Sequence, residues 1–387
     1  MLTVNTWFAA AWLSRAAWLG RWRLAVGCRA GAVLCLVCLL VSGAAGWGQA
    51  AKDTVAKSAG AAVTCATCHA GVVAHYAHAP MRHAMEMGGA NPVLDKHPNL
   101  TAQVGGYSYS VQTKDGKSTY SVTNGTDTLT LPIQWMFGTH SQTWVLEQDG
   151  HLYESYVTYF ARGEQLGITP GDQRITPHNL TEAMGRKLPI WETQECFKCH
   201  ASGAVDGAKL TLDTLRPGLD CERCHVGAQQ HMVDAEHDNF KTLPKSLKKM
   251  DAENVSNLCG SCHRTWDTVM RNHWQGPAFV RFQPYRLEHS RCFIGNDPRI
   301  SCLACHDPHQ GVDHNDAVYD AKCLACHGAG KVTVVALPAG SVTPKICPVS
   351  KDKCVSCHMP KVELPGGQAV FTDHFIRVVK AGEAYPD

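Results

Sequence analysis

Cys302-Leu-Ala-Cys-His-Asp-Pro-His309 is the stretch from which the rest of the chain can be read. Cys302 and Cys305 are spaced to form two thioether bonds to the vinyl groups of one haem. His306 follows directly, so its imidazole is delivered to one axial face of the iron. This is the attachment signature of a c-type haem. His309 comes three residues later with no Cys pair of its own, a spare imidazole suited to closing the second axial face of a different haem.

The signature occurs seven times: Cys65-Cys68-His69, Cys196-Cys199-His200, Cys221-Cys224-His225, Cys259-Cys262-His263, Cys302-Cys305-His306, Cys323-Cys326-His327 and Cys354-Cys357-His358. With 19 Cys in 387 residues, chance does not produce this. Zinc ribbons also use Cys-x-x-Cys pairs, but zinc does not require His directly after the second Cys seven times out of seven. A disulfide scaffold has no use for the histidines. Seven covalently attached haem c groups are the expectation.

Residues 1–50 carry Arg15, Arg21, Arg23 and Arg29 and no acidic residue, followed by an apolar run from Ala30 to Val41 and small residues to Ala50. This pattern predicts a secretory signal cleaved near Gly48-Gln49-Ala50, with an uncleaved membrane anchor as the alternative. Cys28, Cys35 and Cys38 belong to this segment and not to a haem. Thioether attachment takes place outside the cytoplasm, so a periplasmic or otherwise exported protein is expected. Without the four leading arginines, 32 basic side chains face 34 acidic ones. Haem propionates make the holoprotein more acidic still. No basic run points to nucleic acid, and the expected partners are redox proteins, donor and acceptor, presenting a positive face. The membrane is a partner only if the leader is retained.

About 48 residues per haem are too few for layered cores of the ordinary kind, so the porphyrins must supply much of the buried apolar surface. The expected fold is a mainly α and irregular multihaem cytochrome organised by stacked haems. An inserted antiparallel β-meander interrupts it. The meander is read from Tyr107–Val111, Ser118–Val122, Leu129–Ile133, Thr143–Glu147 and Leu152–Phe160, separated by turn signals at Asp115-Gly116, Asn124-Gly125 and Asp149-Gly150. The divisions are 1–50 for the leader, 51–98 for a first haem segment, 99–165 for the β-rich insertion and 166–387 for a six-haem domain. The insertion is expected to cap the first haem or to serve a docking or substrate-shaping role.

Fourteen histidines lie outside the motifs, twice the number that seven bis-His haems need. His231, His309 and His374 are the leading second axial ligands, each expected to serve a neighbouring haem. His273 and His289 flank the fourth and fifth motifs. His140 and His178 are further candidates. For the first haem His83 competes with Met81, which would raise the potential, and with His75 and His78. The arginines of Arg281-Phe-Gln-Pro-Tyr-Arg-Leu287 are either propionate partners or part of a solvated loop. Cys292 and Cys347 belong to no motif, and in an oxidising compartment two leftovers suggest a disulfide.

On these residues the chain resembles the cytochrome c-552/c-554-type multihaem proteins. The resemblance rests on the first motif followed by Tyr76 and Ala79-Pro-Met81, and on Cys221-Glu-Arg-Cys-His225 with His231. Cys302–His309 and Cys354-Val-Ser-Cys-His-Met-Pro360 add to it. It covers roughly residues 60–90 and 190–380. It implies periplasmic electron transfer through closely stacked haems, mostly with two axial histidines. Such proteins often carry a distal His about twelve residues after the first motif, where this chain has Met81. The β-rich insertion is outside the family pattern.

The leading expectation is therefore an electron carrier with no catalytic residues, because a six-coordinate iron cycles between Fe(III) and Fe(II) without binding substrate. The alternative is an enzyme, a reductase or oxidase of a small nitrogen or sulfur compound at one open-faced haem. The Cys-x-x-Cys-Lys motif that marks pentahaem nitrite reductases is absent.

Overall fold

The computed structural model describes residues 64–89, 91–328 and 346–386. The expected leader lies outside the described residues. No helix among them is long and apolar enough to cross a membrane.

The β-rich part is built from two antiparallel sheets, not from one meander. Asn99–Val104, Tyr107–Lys114, Lys117–Thr123 and Thr128–Pro132 form a four-stranded sheet in sequence order. Its first two turns are two-residue connections with both central residues at positive φ: Gly105-Gly106, then Asp115-Gly116 at 51° and 69°. That geometry matches the twist of adjoining strands. The second sheet has seven strands. Met85–Met87, Trp135–Phe137, Ser141–Gln148, His151–Ser155 and Gly185–Lys187 lie side by side, and Val157–Phe160 and Gln165–Ile168 extend it from Ser141–Gln148. The insertion thus draws strands from beyond both expected ends, Met85–Met87 before residue 99 and Gly185–Lys187 after residue 165.

The run expected as one strand from Leu152 to Phe160 splits at Tyr156, whose amide donates to Met184 O at 3.1 Å. Before the split the chain pairs with Gly185–Lys187, and after it with Gln165–Ile168. Val157–Phe160 is buried throughout, so it lacks the in–out alternation of a half-exposed strand. Tyr109, Val111, Tyr120 and Val122 of the four-stranded sheet share a core with Trp144, Leu146 and Tyr156 of the other. Ring contacts of about 6 Å, Tyr120–Trp144 at 6.0 Å and Tyr109–Tyr156 at 6.0 Å, join the two.

The other face of the larger sheet meets the second attachment motif. Met85, Trp135, Phe137 and Val145 pack with Phe197, Ala201 and Ala204. Phe197 is fully buried, with Trp135 at 5.6 Å and Phe137 at 5.2 Å edge-on. The apolar patch that this face covers is thus the one around Phe197, beside the second motif.

Outside the sheets the chain follows the expected pattern of short helices around the motifs. Cys65–Tyr76, Ile190–His200, Ala252–His263, Cys302–Cys305, Asp316–His327 and Cys354–His358 are helical, and the third motif begins in the 3-10 turn Cys221–Arg223. The segment after the first motif packs on the segment before the third. Tyr76 Oη donates to Leu219 O at 2.8 Å, Leu219 N donates to Met81 O at 3.0 Å and Arg82 donates to Pro217 O at 2.7 Å. Gly218 sits at φ 69°, and a Cβ there would meet Arg82 O at 1.8 Å, so this closure requires glycine.

Candidate haem attachment sites and axial ligands

Cys-x-x-Cys on one helical turn puts both thiols on one face, since positions i and i+3 are neighbours on a helix surface. All fourteen motif thiols are free and at least partly accessible. In the second, fourth, sixth and seventh motifs the histidine is the last residue of its helix. After the fourth the chain breaks sharply, with Arg264 at φ 68°. The helix of the fourth motif starts on an Asp251 cap and that of the sixth on an Asn315 cap, each accepting a backbone N–H.

The imidazoles give a more specific test of whether haem fits. A metal–imidazole bond is about 2 Å long and a ring centroid lies roughly 1 Å beyond its nitrogen, so two rings across one iron stand about 6 Å apart. His225 and His309 have centroids 6.1 Å apart with ring planes 5° from parallel. His306 and His374 have centroids 6.1 Å apart at 39°. In each pair one ring belongs to a motif and the other is an extra histidine. The donors present therefore fit a haem iron at these two places.

Ring orientation is set from behind. His374 Nδ1 donates to Thr372 O at 3.0 Å, and His309 Nδ1 meets Asp307 Oδ1 at 2.9 Å. His200 donates to Ala84 O, His231 to Thr242 O and His358 to Arg377 O, at 2.8, 2.6 and 2.8 Å. A histidine tied at Nδ1 presents Nε2 as its lone-pair nitrogen, the usual arrangement of a metal ligand. Burial pushes His200, His225, His263 and His306 below the ordinary histidine range. Burial, helped by the neighbouring His306, takes His374 down to about 4. These rings are neutral at neutral pH, the form that ligates.

The remaining candidates fall in different places. His289 packs between Trp266, Tyr285 and Phe375, and its Nε2 is buried with no hydrogen-bond partner. A buried imidazole nitrogen without a partner in an apolar slot fits a bond to a metal. His231 stands on Ala228–Glu236, whose Met232 Sδ lies 3.8 Å from Cys65 Sγ of the first motif. His83 has both ring nitrogens engaged, Nδ1 with Glu86 and Nε2 with Ala77 O, each at 2.6 Å. Both nitrogens are thus taken up by protein oxygens, and neither is turned toward an iron. His273, His140 and His178 are exposed.

Two other expectations change. Cys292 and Cys347 are both free, so no disulfide joins them. Cys292 instead lies near the sixth-motif thiols Cys323 and Cys326. Arg286 is not a solvated residue or a free propionate partner: it is fully buried and clamps Asp373 through Nε at 2.8 Å and Nη2 at 2.9 Å. Its third arm donates to Pro386 O, and Tyr385 and Phe375 flank its guanidinium. Asp373 directly precedes His374, so the clamp fixes an axial candidate. Nothing in the local sequence around Asp373 announces a partner 87 positions away. Asp320 is similar: its carboxylate accepts from Lys353 N at 2.7 Å and Cys354 N at 2.8 Å, and so seats the seventh motif on the helix of the sixth.

Seven Cys-x-x-Cys-His units, with imidazoles paired at the spacing of a shared iron, define a multihaem c-type cytochrome as the class that fits. A profile of the family described as cytochrome c554 and c-prime matches residues 174–226, the segment that holds the second and third motifs. The match supports that class, and over the rest of the chain the class rests on the motifs. No curated protein matches the chain. Among solved structures, the outer cell wall cytochrome OcwA aligns at 17% identity over 51% of this chain and 36% of its own, with a TM-score of 0.30. This chain thus spans little more than a third of that cytochrome, at a score that defines no common fold.

Proposed function

We propose that the chain is an exported heptahaem cytochrome that passes electrons through closely spaced, mostly bis-His haems. The observation that carries this reading is the two imidazole pairs, His225 with His309 and His306 with His374, each with ring centroids 6.1 Å apart. Bound haem supplies one-electron redox chemistry. The chain's own residues hold each porphyrin by two thioethers, orient the imidazoles through their Nδ1 bonds and keep water from the axial sites. In this reading His309 serves the third haem and His374 the fifth. His289 serves a further haem through its orphaned nitrogen, and His231 serves the first in place of His83. Export follows from the chemistry of thioether attachment, and the partners are one-electron redox proteins.

The test is the intact mass together with low-temperature spin-state spectroscopy of the oxidised protein. Seven attached haems, all low-spin, are expected. A high-spin fraction near one-seventh would overturn the pure carrier and favour an enzyme acting on a small nitrogen or sulfur compound. In that second reading His231 does not ligate and the open face is at the first haem, which the engaged nitrogens of His83 support.

A further inference from the structure

We propose that the seven attachment motifs form a branched series, with the second motif joined to the others through the fourth. This rests on the carrier reading above. The first and third motifs meet where Cys65 and Cys221 come within hydrogen-bonding reach and Tyr76 ties to Leu219. The third meets the fourth, with Arg223 Nη2 3.8 Å from Cys262 Sγ. The fourth and fifth join through Cys259 and Cys302, on helices that pack together. The fifth meets the sixth where His306 sits 5.6 Å from Tyr319, and the sixth carries the seventh on Asp320. This gives a continuous line 1–3–4–5–6–7.

The second motif does not lie on that line. Cys199 Sγ is 3.7 Å from Ser261 O and within reach of the Cys262 thiol, and Arg264 pairs with Glu195 at 3.2 Å. All of these are contacts with the fourth motif. On its other side His200 meets Phe137 at 5.2 Å and the motif backs onto the larger sheet. The strand Ala201–Ser202 does pair with Arg216–Pro217 before the third motif. The groove between those segments is lined by Lys198 of the second motif, by Arg216 and Asp220, and by Glu222 and Arg223 of the third, with no thiol among them, so the two motifs approach there through polar side chains and not through their attachment cysteines.

A branched series has three ends, at the first, second and seventh motifs, where a linear one has two. Each hop moves one electron from an Fe(II) to the next Fe(III), with no bond or proton involved. The fourth position is then a junction at which electrons from a one-electron redox protein at one end divide between, or merge from, the other two. A carrier with a third port can serve two donors or two acceptors of that chemical class.

The test uses the wild-type holoprotein, whose seven iron positions are read from an electron-density or cryomicroscopy map. The second iron is expected to have the fourth as its single near neighbour, and the fourth to have the second, third and fifth. Seven irons with the second lying between two others, or beside the first or seventh, would overturn the branch and leave the carrier reading standing. A motif without iron would overturn the heptahaem reading itself, and the branch with it if that motif is the second, third, fourth or fifth.

Discussion

Asp373→Asn removes one negative charge from a site where the structure leaves no water to replace it. Arg286 and Asp373 are both fully buried. The Asp373 carboxylate accepts from Arg286 Nε, Arg286 Nη2, Arg377 Nη1 at 2.9 Å and the Phe375 amide at 3.1 Å. An asparagine offers one oxygen and turns its NH2 toward a guanidinium, so about two charge-assisted bonds are lost. At roughly 1.5–3 kcal/mol each, and with an uncompensated buried charge left behind, the loss is about 3–5 kcal/mol. Burial pushes the Asp373 carboxyl up, but Arg286, the Phe375 amide and Arg377 outweigh it and hold it below the ordinary range. Its contribution is therefore full above the unfolded value of about 3.9 and is lost as pH falls below that. Denaturant unfolding followed by circular dichroism at pH 7 and pH 3 measures both effects. In D373N the loss at pH 7 should be smaller at pH 3, and one low-spin haem should convert to high spin as His374 loses its anchor. A change under 1 kcal/mol at pH 7 would refute the clamp as the organiser of this region.

Three further outcomes follow from particular residues. His309→Ala should convert the third haem, and not the fifth, to a high-spin form that binds carbon monoxide when reduced; magnetic circular dichroism of the variant against wild type reads this, and an unchanged low-spin count would remove His309 from the ligand set. Phe197→Ala should cost about 3–5 kcal/mol and loosen the larger sheet from the second motif, seen as faster amide exchange in Trp135–Phe137. Asp172 is pushed up to about 6 by burial first and by Glu154 next, with its Oδ2 unbonded. A carboxylate raised in the folded state costs stability as pH rises between about 4 and 6. Asp172→Asn should therefore gain about 1 kcal/mol at pH 7 and flatten the stability curve across that interval, as thermal melts at several pH values will show.

What could be read from the sequence, and what could not, divides by the range of the interaction. Cys302-Leu-Ala-Cys-His306 is a local device, since its chemistry is complete within five residues, and so are the Asp115-Gly116 and Asp149-Gly150 turns. The hairpins they specify are present with the expected strands. The partner of His225 lies 84 positions downstream, and no periodicity reports that distance. The sheet's packing on Phe197 is also long-range, because apolar strand faces specify burial without naming what buries them. Arg281 and Arg286 looked alike in sequence. Arg281 is exposed, whereas Arg286 is enclosed by Asp373, Tyr385 and Phe375, all brought in by the last fifteen residues of the chain.

The spacing of the facing imidazoles also bears on how such a protein matures. A chain synthesised from its N-terminus presents His225 well before His309, and His306 well before His374. If these pairs each hold one iron, the third haem would be attached before the segment that holds its second imidazole has emerged. The fifth would wait in turn for His374, 68 positions after His306. Axial closure would thus run behind covalent attachment, and a chain stopped between His306 and His374 would carry an open fifth iron. Coordination number would in that sense report how far the chain had emerged.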